Sequence, residues 1–214
     1  MSCPPARLFY PVVAAVMLLS GCIVQNFGDI SVKPDTPATA DGAMSLRAGL
    51  FFPENFRNRR FNIHQHSFRG NIDIGRSLMP AVYALASSSF RAVVFLESFV
   101  PGSPPPVRDL DLVFVPKISD FQWFFHLKGP ASEMEARLSL VFEFHDPDGR
   151  LRHSLISSGS RSDSTLSMAF SGLSSLQSAE RPTRLVCEDV LKDMAAKLAT
   201  DRGKILAVAG KCSP

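Results

Sequence analysis

Between Glu133 and His145 the chain alternates with a period of two. Met134, Ala136, Leu138, Leu140, Phe142 and Phe144 are apolar, Glu135, Arg137, Ser139, Glu143 and His145 between them are polar, and Val141 is the one exception. Successive side chains of a strand point to opposite faces, so this pattern predicts a long antiparallel strand with one face buried and one wet. Asp146-Pro147-Asp148-Gly149 follows, with proline and glycine where a tight turn takes them, and Leu151 to Ser158 returns as the hairpin partner. Whatever else this chain does, it must cover one face of that hairpin.

The remaining segments supply candidates for the cover. Leu46, Ala48, Leu50 and Phe52 alternate in a first strand that Pro53 ends, and Phe61 to Phe68 reads as a second strand. Ser77 is placed to cap a helix carrying Leu78, Val82, Leu85 and Ala86 at three- and four-residue spacing, with Pro80 in its first turn. Phe90 to Phe99 reads as a strand buried on both faces, and Pro101 to Pro106 as an exposed connection. Leu110 to Val115 resumes strand and Phe121 to Leu127 is an aromatic-rich neighbour. The serine-rich stretch from Ser157 to Ser178 is open between a loop and an edge strand. Pro182 opens a second helix whose stripe is Cys187, Val190, Leu191, Met194, Ala195 and Leu198, ending at Gly203, and Ile205 to Val208 reads as a closing strand. Two amphipathic helices each have one stripe to bury. The economical fold class is α+β: a mainly antiparallel sheet with both helices packed on one face.

The amino-terminal end does not belong to that body. It carries Arg7, then an apolar run from Leu8 to Leu19 interrupted by Pro11, then small residues. The run is too short to span a bilayer and reads as a secretory signal. Leu19-Ser20-Gly21-Cys22 resembles the lipobox of bacterial lipoproteins, which implies cleavage before Cys22, acylation of its thiol and a signal peptide over residues 1–21. Ile23, rather than an aspartate, follows the cysteine; by resemblance to the sorting rule of enteric bacteria this implies the outer membrane, with the protein facing the periplasm. Residues 22–44 hold Gly28, Pro34, Pro37 and Gly42 without apolar periodicity and read as a flexible lipidated tether. Residues 45–214 are then a single domain, a length that can bury a sizeable core.

Charge is nearly balanced. The formal net value is +3, and losing Arg7 with the signal leaves +2. A balance that even does not argue for nucleic acid or for an electrostatically held membrane surface. Of the cysteines Cys3, Cys22, Cys187 and Cys212, the first two go to cleavage and lipidation, leaving an even pair. Cys187 and Cys212 can close a disulfide in an oxidising compartment, or can be two thiols that never meet, because Cα separation is not written in spacing.

The lipobox, the strand at Leu46 to Phe52, the Gly75 helix running into Phe90 and Val94, the Asp109-Leu110-Asp111-Leu112-Val113 strand entry, the Glu133 to Gly149 strand and turn, and the last helix together resemble the ABC-transport auxiliary and YajG-type lipoproteins, whose domains are similar to the amino-terminal domain of TolB. The resemblance covers most of the chain and is topological. It implies a non-enzymatic role assisting an envelope transport or assembly system, with an envelope protein as partner and the membrane held through acyl chains on Cys22. It carries no catalytic residues and no cofactor.

Two groups invite a chemical reading. His64 and His66 lie two apart on a strand, so both rings can face one side and share a metal, but no cysteine or carboxylate cluster at ligand spacing accompanies them. They are weak candidates for a periplasmic metal-binding or hydrolytic protein, against the simpler reading of solvated or core histidines. Phe121, Trp123, Phe124 and Phe125 cannot all point into one core from one strand. Some must face a partner, a lipid or another part of the chain, and they are the candidate partner contact. Asp146, Asp148 and Gly149 echo part of a calcium loop without its acidic closing residue, and read as a plain turn.

Overall fold

The alternating segment is the middle of β7 (Ala131–His145), flanked by β6 (Leu112–Lys128) and β8 (Leu151–Leu166), and all three run antiparallel. The structure, a computed structural model, describes residues 25–35, 42–65, 68–128, 131–166 and 174–210. The signal segment and Cys22 lie outside them. Two shorter strands, β2 (Met44–Leu50) and β5 (Phe90–Phe95), complete a five-stranded sheet in the order β5-β2-β6-β7-β8. β2 is parallel to both of its neighbours, so the sheet is antiparallel along its long strands and parallel at one side.

Both amphipathic helices lie on one face of this sheet. α2 (Ile74–Ser89) packs on β5 and β2, α3 (Ser174–Thr200) on β7 and β8, and the two touch each other. Two short helices, α1 (Glu54–Arg57) and α4 (Arg202–Val208), fill the margins. Ile205 to Val208 is thus helix rather than the expected strand: Ile205 and Val208, three apart, are both buried. A four-residue apolar run suits either period, and tertiary packing decides.

β6 is one seventeen-residue strand rather than two. Ile118 opposes Leu140 and Asp120 opposes Ser139, so Ser119 is the extra residue of a bulge. The bulge switches the phase. Before it the even-numbered Leu112 and Phe114 face the helices, and after it the odd-numbered Phe121, Trp123 and Phe125 do; all five are buried. An extra residue in one strand restores inward pointing to a pattern that has slipped by one.

The serine-rich stretch continues β8 as far as Leu166, at the edge of the sheet. Its odd-numbered positions face α3. Ser157 Oγ donates to Asp193 at 2.6 Å, Arg161 pairs with Asp189, and His153 Nε2 lies 3.1 Å from Asp201. A Cβ at Gly159 would stand 3.0 Å from Val190, so small residues here let the helix come close. α3 begins at Ser174, with Pro182 inside it and buried, rather than at Pro182. The helix stripe read from the sequence is the buried face.

A second sheet, β1 (Gln25–Ile30), β4 (Phe68–Ile72) and β3 (Phe61–Gln65) in the order β1-β4-β3, packs beside β6 through the edge-to-face pair Phe61–Phe121. β3 therefore stops at Gln65 instead of running to Phe68. β1 lies within the span 22–44 read as a tether. Gln25 to Ile30 is a strand parallel to β4, and Ile30 and Val32 are 3% and 1% exposed. Asp73, not Ser77, caps α2 by accepting from the Arg76 N–H. Ser77 sits one turn inside, donating to the Asp73 carbonyl and accepting from the Val32 N–H. β5 is not buried on both faces; as an edge strand it leaves Arg91 and Phe95 exposed.

On the opposite face from the helices, Leu96, Phe99, Leu110, Val113 and Val115 form a smaller core under the proline loop. The Gly102 N–H donates to the Gly149 carbonyl, fastening that loop to the 146–149 turn. Asp146 organises the turn: its carboxylate accepts from the Asp148 and Arg150 N–H groups and from Arg152. Burial alone would raise its pKa, but those donors hold it below the usual carboxylate range.

Removing Ser119 from the chain leaves Asp120 opposite Ser139 and Phe121 opposite Leu138, so the ladder becomes regular and Phe121, Trp123 and Phe125 keep facing the helices. The burial of those three side chains, about 1.5–3 kcal/mol each, is then kept. Urea titration followed by Trp123 fluorescence should show a cooperative transition after the deletion as before it, and Ser119→Ala should stay within about 0.5 kcal/mol of the parent; loss of the transition in the deletion variant would overturn this register.

Candidate functional site

The four aromatics proposed as a partner contact divide by strand parity. Phe121, Trp123 and Phe125 are core residues under the helices and are closed to a partner, which corrects that assignment for all three. Phe124 alone faces the outer side. It is half-buried, with the Arg137 guanidinium 5.0 Å above its ring and His126 stacked beside it.

The outer face of β6, β7 and β8 is polar and centred on Glu135. Its carboxylate accepts from Arg137 Nε and Ser160 Oγ, each at 2.7 Å, and lies 3.6 Å from His126 Nε2. The Arg137 hydrogen bond, then that from Ser160, holds Glu135 below the ordinary carboxylate range. Together with Glu133, Arg161 and Ser162 these groups line an open cleft at the β6–β7 end of the sheet. The register explains the cluster: Glu135 opposes Phe124 and Ser162, Arg137 opposes Gln122 and Ser160, and side chains on one face at directly paired and diagonal positions come into reach.

Ser160 donates to a carboxylate rather than to an imidazole, and Ser157 does the same on the other face. A serine nucleophile needs a base placed to take its proton.

The described histidines stay apart. His64 is exposed on β3, and His66 lies outside the described residues. His126 faces Glu135, His153 meets Asp201, and His145 is buried between the Gly149 carbonyl and Glu143. Among the described residues no group of three or more histidine, cysteine, aspartate or glutamate side chains is placed to hold a metal ion. Cys187 is fully buried on α3, and burial pushes its thiol pKa far up, which leaves it unreactive in the folded chain. Cys212, its proposed disulfide partner, lies outside the described residues.

A feature the sequence reading missed is at the other sheet edge. Phe95, 53% exposed at the end of β5, stacks on Tyr83 of α2, 42% exposed, with centroids 5.4 Å apart, and Phe52 lies beneath at 5.7 Å. Leu96 donates its N–H to the Leu50 carbonyl. Alternate residues of a strand present their backbone groups to opposite neighbours, so Arg91, Val93 and Phe95 point theirs away from β2. The density of Val93, Val94, Phe95 and Leu96 suggested a central strand, which hid the edge.

No family model matches the chain, and no curated protein does. Among solved structures it is similar to a Xanthomonas campestris protein of family DUF330, at 12% identity and a TM-score of 0.49 over 81% of this chain and 98% of that one. It is also similar to a minor lipoprotein from Acinetobacter baumannii, at 11% identity and a TM-score of 0.43 over 75% and 95% of the two chains. A third is the hypothetical protein CT253 from Chlamydia trachomatis, at 11% identity and a TM-score of 0.41 over 77% and 99%.

A carboxylate whose folded pKa is depressed stabilises the fold above its unfolded pKa, near 4.3 for glutamate, and loses that contribution as pH falls through the lower folded value. Glu135→Gln should therefore cost about 1 kcal/mol or less at neutral pH, since the network is partly solvated. The difference between the two chains should shrink below about pH 4. Urea midpoints measured from pH 7 to pH 3 check this.

Proposed function

We propose that this chain is a lipid-anchored envelope protein of non-enzymatic function, acylated at Cys22, held at the outer membrane on its periplasmic side, and serving as an accessory binding module for a transport or assembly system. The observation that carries the anchor is the sequence Leu19-Ser20-Gly21-Cys22 ending a short apolar run. Several acyl chains at about 0.8 kcal/mol per buried methylene make such an anchor effectively permanent. No helix among the described residues is long and apolar enough to cross a membrane.

Support for a binding role comes from how the polar groups are used. Ser157 and Ser160 of β8 are tied to carboxylates, the described cysteine is buried, and three histidines meet separate acidic partners. The contact surface moves from the β6 aromatics to the free edge of β5. There an extended segment of an envelope protein would add a strand, with main-chain hydrogen bonds for affinity and the Tyr83–Phe95 shelf for an apolar side chain. Proline is tolerated where an edge N–H has no ladder partner but blocks a new strand.

Cys22→Ser should shift the protein from the membrane to the soluble fraction of cells and abolish incorporation of labelled fatty acid. A photo-crosslinking residue at Phe95 should then yield one adduct in intact cells, and Val93→Pro should remove it while, at the cost of the contact Val93 makes with the core, keeping a cooperative unfolding transition. Unaltered fractionation of Cys22→Ser would sink the anchor, and an adduct indifferent to Val93→Pro would sink the strand-addition contact.

A further inference from the structure

The course of the chain after β1 says which end of the body meets the anchor. The Ile30 carbonyl accepts from Asp73 N–H at the start of α2, and two residues on, the Val32 N–H donates to Ser77 in the first turn. The Asp35 N–H donates to Glu188 in the middle of α3 at 3.4 Å, and the Gly42 carbonyl accepts from Arg202 beyond its end at 3.2 Å. From Ile30 to Gly42 the backbone thus travels towards the C-terminal end of α3. Gln25 lies on the far side of Ile30 from Gly42, on a strand parallel to β4.

α3 runs antiparallel to β8, as Asp189, Asp193 and Asp201 meet Arg161, Ser157 and His153 in reverse order. The start of α3 therefore shares an end with the β6–β7 connection. Its C-terminal end shares one with the 146–150 turn and the proline loop fastened to it. A helix of 27 residues separates those ends by about 40 Å.

Three residue steps join Cys22 to Gln25, a reach of at most about 10 Å. Resting on the reading of Cys22 as acylated, we propose that the bilayer surface itself is the ligand of the β1–β4–β3 end, so that the domain stands upright with the Asp146 turn and proline loop as its remote tip. The surface suits phospholipid headgroups: β3 and β4 carry no carboxylate, their exposed described residues being Asn62, His64 and Arg69. Asp29 is the one acid of β1.

The test uses the full acylated chain in vesicles of phosphatidylcholine and phosphatidylglycerol containing a nitroxide-headgroup lipid, with Cys212→Ser in every variant and Cys187 protected by burial. A fluorophore on His64→Cys should lose most of its emission, and one on Pro104→Cys should keep it. Asn62→Cys and Lys204→Cys repeat the comparison should either of the first pair fail to fold. Equal quenching at both ends, or stronger quenching at the proline loop, in protein whose mass shows the acyl groups on Cys22 would overturn the upright arrangement and leave the anchor standing. A mass showing Cys22 unmodified would remove the premise and the arrangement with it.

Discussion

The structure depends on keeping one face of the β6–β7 pair apolar along its whole length. Fifteen paired positions run from Val113 opposite His145 to Lys128 opposite Ala131, and a strand of that length turns over its entire face if it slips by one residue. The bulge at Ser119 absorbs such a slip. Phe114 against Phe144 below it, and Trp123 against Ala136 above it, then look towards the same helices. Every other element attaches to that face or its margins: α2 and α3 cover it, β2 extends it on one side and β8 on the other, and the three-stranded sheet leans on it at Phe121.

How much of this was legible follows from how each segment earns its place. β7 and its turn were plain because one face is wet and the other dry, which prints the period directly. β6 reads as two strands, Leu110 to Val115 and Phe121 to Leu127, because its halves alternate in opposite phase on the two sides of Ser119. The end of β8 could not be read because its inward positions are chosen for small size: Ser157 reaches Asp193 and Gly159 admits Val190, and neither raises the apolar content that marks a buried face. β1 was hidden by glycine and aspartate in a short strand whose single aliphatic residue, Ile30, stands at its end.

The candidate site was less legible than the fold for a related reason. Histidines two apart on a strand suggest a shared ligand only if something else converges on them, and convergence is a property of the tertiary arrangement. Here the sheet distributes the imidazoles among Glu135, Asp201 and the Gly149 carbonyl, roles that orient loops and strands. The exposed stack of Tyr83 and Phe95 joins a helix to a strand edge, with no sequence period linking positions 83 and 95. Its visibility depends on knowing that β5 is an edge.

The position of β1 changes what an anchor at Cys22 would do mechanically. A flexible spacer of some twenty residues would have a root-mean-square span of roughly 25 Å and would let the domain present any side to its surroundings. A link of three residues holds one end and leaves rotation about that end as the main freedom. Phe95 opposes Leu50, which opposes Phe114, so the β5 edge sits well along the body towards the end remote from β1. A partner segment would then meet that edge from the side, at a set height above the lipid, with much of its orientational cost already met by the covalent tie. Short linkage raises effective concentration only for partners at the matching distance. The fold would in that way select among envelope proteins by geometry before any side chain makes contact.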